Sequence, residues 1–185
     1  WHGVNFLTAL AEAEALGMYT HFAVLTQALG AYAQNQRDFA SAEQQFAALA
    51  EHYKQRSNVE GEAAAYHQLG MIAQERRDLA AAERWYGKSL AIKEQQGNEH
   101  GMASTYHQLG RIAEERRDLA AAERWYQKSL AISEKHGNEH GAALTYHQLG
   151  VIAQERRDFA AAERWYRKSL AIEEKHGNEH GAAST

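Results

Sequence analysis

The sequence predicts an all-α solenoid of stacked antiparallel helix pairs, about nine helices long, and three observations predict it. A 40-residue period runs through the 185-residue chain: Tyr-His-Gln-Leu-Gly stands at 66–70, 106–110 and 146–150, and Ala-Ala-Ala-Glu-Arg-Trp-Tyr follows each time. A fixed period of roughly 20 to 50 residues marks a repeat architecture. Ala, Glu, Gln, Leu, Lys and Arg dominate, β-branched residues are sparse and proline is absent, which favours helix in nearly every window. Stepping about 100° per residue also gathers Tyr66, Leu69, Gly70 and Ala73 into one arc, as a helix with a single core-facing stripe requires.

The elements follow in order. Residues 1–17 match the second helix of an earlier unit, with Phe6 in register with Phe46. Four full units come next, at 18–57, 58–97, 98–137 and 138–177. The first is degenerate: Gly30 and Asp38 precede Gly70 and Asp78 by one period, and Phe46 stands where Tyr86, Tyr126 and Tyr166 stand later. In the third unit, helix A is expected over 99–116. Asp118 then supplies an N-cap carboxylate for helix B, which starts at Leu119 and ends at the helix-stopping pair Gly137-Asn138. Asp38, Asp78 and Asp158 repeat that cap. One hairpin is too thin to bury its own stripe, so each must stack on its neighbours. Residues 178–185 begin a further helix A. Because the chain starts at Trp1 rather than Met and in mid-unit, it is expected to be a piece of a longer protein.

Leu69-Gly70, Ala82, Tyr86 and the small Ser89 resemble the signature of the tetratricopeptide repeat (TPR) family: a Leu-Gly pair in helix A, then alanine, aromatic and small residues in helix B. The resemblance covers the whole chain and implies a right-handed TPR superhelix. The longer period, with Gly97-Asn98-Glu99-His100-Gly101 between units, is similar to LGN/Pins-type polarity scaffolds, kinesin light chain and the arrays of bacterial signalling ATPases. Two features depart from the pattern. The usual proline after helix B is missing, and the A–B turn carries Arg76-Arg77-Asp78 where Gly-Asp is common.

The arc opposite the core holds Ala64, His67, Gln68, Met71, Gln74 and Glu75, with equivalents Ser104, His107, Gln108, Arg111, Glu114 and Glu115, then Leu144, His147, Gln148, Val151, Gln154 and Glu155. The third and fourth units are identical at 33 of 40 positions, and three of their four helix A differences, 104/144, 111/151 and 114/154, fall on this arc. A constant core beside a varied exposed stripe is the pattern of a shared scaffold with changeable contact residues, and exposed positions drifting freely give the same pattern. In the resembled family the stripe lines a concave groove that binds peptides. The family's lysine and asparagine clamp for a terminal carboxylate is absent, because Gln68, Gln108 and Gln148 occupy the asparagine position. Arg111 stands among Glu75, Glu114, Glu115 and Glu155, so a partner with basic residues and an apolar anchor near Met71, Leu144 and Val151 fits better than an acidic tail.

Other chemistry fits poorly. Cysteine is absent, which removes disulfides, thiolate nucleophiles and cysteine zinc sites. His136 and His140, like His176 and His180, are four apart, a zinc-binding spacing on a continuous helix, but Gly137-Asn138 breaks it. No metal or other cofactor is expected. Catalysis needs nucleophile, base and orienting group in one pocket, whereas a repeat spreads copies along a surface. Glu83 and Arg84, with Glu123, Arg124, Glu163 and Arg164, read as exposed or inter-repeat ion pairs. A net charge of −4 disfavours nucleic acid, and no apolar run is long enough for a membrane span. The expected role is a cytoplasmic, non-enzymatic scaffold binding a protein or peptide. Its alternatives are self-association through repeat ends, with Trp1, Phe6 and Leu7 at one and Tyr166, Leu170 and Ile172 at the other, or a passive spacer.

Overall fold

The computed structural model describes residues 8, 12–13 and 16–182. Among the described residues it shows eight helices that are followed over their length: α1 (Tyr19–Asn35), α2 (Phe39–Gln55), α3 (Val59–Glu75), α4 (Leu79–Gln95), α5 (Glu99–Glu115), α6 (Leu119–Lys135), α7 (Glu139–Glu155) and α8 (Phe159–Ala182). Among the described residues there is no strand. The helix expected over 1–17, with Trp1, Phe6 and Leu7, lies largely outside the described residues, as does the end of the segment 178–185.

Local signals set the boundaries. The Asp78, Asp118 and Asp158 carboxylates each accept the backbone N–H three residues on, at 2.9 Å, and Asn58, Asn98 and Asn138 do the same for Gly61, Gly101 and Gly141 at 2.8–3.0 Å. Such caps satisfy donors that the first helical turn leaves orphaned. At the A–B turns the left-handed residue is arginine, with φ between 59° and 63° at Arg37, Arg77, Arg117 and Arg157. The aspartate N–H then reaches back five residues, as from Asp78 to the Ala73 carbonyl at 2.9 Å. These are the backbone bonds of a Schellman-type stop, made here without glycine. At the B–A turns Gly97 and Gly137 take φ 64°. The same Gly-Asn pair recurs at 177–178, yet α8 runs on as helix to Ala182.

The chain divides into two compact units, Trp1–Gln96 and Gly97–Thr185. In the first, Phe46, Leu49, Leu69 and Ile72 form the centre of the core, with Tyr66 and Trp85 packed against it. In the second, Tyr126, Leu130, Tyr146, Leu149 and Ile152 do so, flanked by Trp125, Trp165 and Ile172. The repeated small residues have visible reasons. A Cβ on Gly70 or Gly110 would lie 2.6 Å from the ring of Tyr86 or Tyr126. Ser89, Ser129 and Ser169 donate their buried hydroxyls to the Ala63, Ala103 and Ala143 carbonyls at 2.8–2.9 Å, stitching helix B to helix A.

Candidate functional site

The second unit brings part of the varied stripe together. A cleft of about 330 Å³ opens between α5 and α7 over α6; Ser104, His107 and Gln108 form one wall, Leu144 the other and Ser133 part of the floor. It opens because the residues around it are small or held aside: Ser133 is 3% exposed, and Thr145 turns its hydroxyl onto the Gly141 carbonyl at 2.8 Å. The His107 ring leans on Tyr126, centroids 5.3 Å apart, and its Nε2 is buried without a hydrogen-bond partner. Burial, and then the Arg111 charge, lower the pKa of His107, so it stays a neutral imidazole at pH 7.

The remaining stripe residues divide by task. Arg111 is exposed and donates to Gln108 at 3.2 Å. Leu144 is 49% exposed; His147 and the carboxylates Glu115 and Glu155 are exposed too, while Gln148 and Val151 are half-buried. Glu114 accepts the Tyr126 hydroxyl at 2.7 Å and Gln154 accepts that of Tyr166 at 2.9 Å. In the first unit Gln74 accepts from Tyr86 at 3.4 Å. That column therefore satisfies the phenol of its own hairpin. Burial, together with the Glu114 bond, raises the Tyr126 pKa. Also in the first unit, Ala64 is exposed, Gln68 and Met71 are half-buried, and Glu75 accepts the Gln34 amide at 2.7 Å. His67 leans on Tyr86 at 5.1 Å and has its pKa lowered to about 4 by burial and then by Lys93.

Two features escaped a reading of helix A alone. Position 93/133/173 of helix B carries Lys93, Ser133 and Glu173. Ser133 helps floor the cleft, and Lys93, 8% exposed, has its pKa lowered to about 8 by burial. The signal was present, since this position varies between otherwise matching units. The second feature is a ladder: Tyr66, Tyr106 and Tyr146 stack on Trp85, Trp125 and Trp165 at 5.6–5.7 Å. Lys88, Lys128 and Lys168 place their ammonium groups 4.4–5.0 Å from the indole centroids, within cation–π range.

The repeated acids mostly tie helices together. Glu43 pairs with Arg76, and Glu123 with Arg156. Glu99 takes Lys135 at 2.7 Å and His136 at 2.5 Å, and Glu139 takes Lys175 and His176. These histidines thus contact a carboxylate of the preceding helix A. Among the described residues no three His, Asp or Glu groups converge as a metal site, and no helix is long and apolar enough to cross a membrane. The side chain of His180 lies outside the described residues.

Several solved structures share this architecture. The crystal structure of BtubC (BKLC) from P. vanneervenii superposes with a TM-score of 0.81 at 20% identity, over 93% of this chain and 72% of that one. A putative kinesin light chain with nearly identical TPR-like repeats from Podosopora anserina gives 0.69 at 17% identity, over 90% and 85%. Aspartyl phosphate phosphatase F from Bacillus subtilis gives 0.62 at 10% identity, over 84% and 50%. No curated protein sequence matches the chain. Tetratricopeptide repeat family models match residues 63–95 and 96–175. With its paired helices, Leu-Gly against tyrosine contacts and capped turns, the chain belongs to the tetratricopeptide repeat family.

Proposed function

We propose that this chain is the ligand-holding segment of a larger cytoplasmic signalling or regulatory protein, binding a peptide along the exposed helix A faces without catalysing a reaction. The observation that carries this reading is the α5–α7 cleft, where Ser104, Gln108 and Leu144 stand around a space of about 330 Å³. A concave site that joins an apolar wall to a few convergent polar groups is the usual form of a binding pocket. Positions 104/144 and 111/151, which differ between the two units, stand open to solvent or partly so. Neither takes a tyrosine hydroxyl, as 114/154 does, so their variation tunes what the surface meets. Exposed Glu115 and Glu155, farther along the same two helices, favour a ligand with lysine or arginine, and Leu144 in the cleft wall favours an apolar anchor.

Selection from a random peptide display library tests this. The wild-type chain is expected to enrich peptides that combine basic residues with one large apolar residue. A Ser104→Glu, Leu144→Asp variant, changed only at exposed positions and with its helicity intact, is expected to bind the same peptides at least about tenfold more weakly. Selection that enriches nothing leaves the passive-spacer reading in its place, and equal binding by both forms moves the ligand away from the cleft.

A further inference from the structure

The floor of the α5–α7 cleft holds a polar group that the fold itself does not use. Three hydroxyls are buried in its lining, those of Ser129, Ser133 and Thr145, at 3%, 3% and 0% exposure. Ser129 donates to the Ala103 carbonyl and Thr145 to the Gly141 carbonyl, each at 2.8 Å. Among the described residues the Ser133 hydroxyl has no hydrogen-bond partner. Gly141 keeps the space beside it open, since a Cβ there would lie 3.0 Å from Ser133 Oγ and 2.8 Å from the Asn138 amide nitrogen. A hydroxyl and an amide N–H thus flank one gap at the cleft floor. Buried polar atoms are nearly always paired, so a group left over inside a cleft calls for a ligand or water.

The repeat singles out the same residue. His107, Gln108, Ser129, Asn138, Gly141 and Thr145 meet their own residue type one period earlier and one period later. Of the buried lining positions only 133 changes, from Lys93 through Ser133 to Glu173: a cation, a neutral hydroxyl and an anion. A residue kept for packing alone would keep its chemistry, as Ser89, Ser129 and Ser169 do. Lys93, 8% exposed, has its ammonium pushed down to about 8 by burial, so the position is shielded from water. A charge placed where water is excluded acts strongly on whatever meets it.

We propose that Ser133 is the specificity-determining residue of this cleft and selects a carboxamide side chain, asparagine or glutamine, in the bound peptide; the proposal rests on the peptide-binding reading above. A carboxamide carries an oxygen that accepts from the Asn138 amide and an N–H that donates to the Ser133 oxygen. No carboxylate, lysine or arginine lines the cleft, so a charged anchor would lose its hydration there without gaining a counter-charge. The carboxamide sits on the floor, beside the apolar residue that Leu144 takes. Exchanging the floor residue for the one found a period away then rewrites the preference, because the rest of the buried lining is shared.

Selection from the random peptide display library at pH 7, run in parallel on the whole wild-type chain and on Ser133→Lys, Ser133→Glu and Ser133→Ala, tests this. Wild type is expected to enrich Asn or Gln next to the apolar residue. At that place Ser133→Lys is expected to enrich Asp or Glu, and Ser133→Glu to enrich Lys or Arg. Ser133→Ala removes the hydroxyl without adding volume and is expected to bind the wild-type peptides about fivefold more weakly. Peptides that bind all four forms with one unchanged preference overturn the proposal and leave the peptide-binding reading standing. A charged residue preferred by wild type at that place does the same. Enrichment of nothing by any form overturns both. Circular dichroism confirms that each variant keeps its helices. Should a charged variant lose them, Ser133→Ala carries the test, and undiminished affinity in it overturns the proposal.

Discussion

The imidazole of His67 is held neutral by its surroundings: burial lowers its pKa from 6.5 to about 4, and the Lys93 ammonium contributes in the same direction. His107 is shifted the same way, by burial and then Arg111. The unfolded chain takes up a proton at His67 below pH 6.5, whereas the folded chain does so only near pH 4. Protons therefore favour unfolding between those values, and stability is complete above the window and falls through it. The loss is at most about 3 kcal/mol for His67. The urea midpoint is expected to drop as pH falls from 6.5 to 4, and His67→Gln is expected to flatten that slope. An equally steep profile in the variant would refute the assignment. The two half-buried histidines were legible as a recurring position but not as shielded groups, because the tyrosines they lean on come from helix B, about twenty residues away in sequence.

Each helical hairpin carries its own start and stop signals, so helices α2 to α7 were readable nearly to the residue: Asp118 before Leu119 is a cap in the structure as in the pattern, whereas Asn138, read only as part of a helix stop, also caps α7. The A–B turn is less economical. Arg117 sits at φ 63°, a left-handed conformation that costs an L-residue roughly 1–2 kcal/mol and glycine far less. Its side chain is exposed. Arg117→Gly is therefore expected to raise stability by about 1 kcal/mol, read as a shift in thermal or chemical unfolding midpoint. A drop would mean that the guanidinium contributes more in the fold than its backbone costs. The Gly-Asn pair shows the limit of local signals. It follows α4 and α6 with its glycine left-handed, yet at 177–178 it lies within α8.

Across the molecule, each compact unit is held by apolar packing rather than by charge. Tyr86 and Tyr126 are fully buried and Leu69, Ile72 and Ile112 nearly so, whereas Glu43–Arg76, Glu99–Lys135, Glu123–Arg156 and Glu139–Lys175 have side chains roughly 36–61% exposed. Exposed pairs contribute about 0–1 kcal/mol each and are screened by salt. Raising sodium chloride to about 1 M is thus expected to change the unfolding free energy by less than about 1 kcal/mol, since screening at that strength acts mainly on weak surface pairs. A loss of several kcal/mol would show that the ion pairs hold the repeats together.

Period, helix pairing, caps and the family were determined by the sequence alone, because each depends on residues close along the chain or repeated in strict register. The Leu69-Gly70 pair was legible as part of the core stripe, and the structure supplied the group that needs its missing Cβ, the ring of Tyr86. Tertiary structure decided which stripe residues face a cavity and which serve their own hairpin. Gln74, Glu114 and Gln154 share the helical angle of contact residues, yet they accept tyrosine hydroxyls from helix B. Ser133 lies outside helix A, yet it floors the cleft. Helical periodicity gives an angle around one axis, and a binding surface depends on what the neighbouring helices place against that angle.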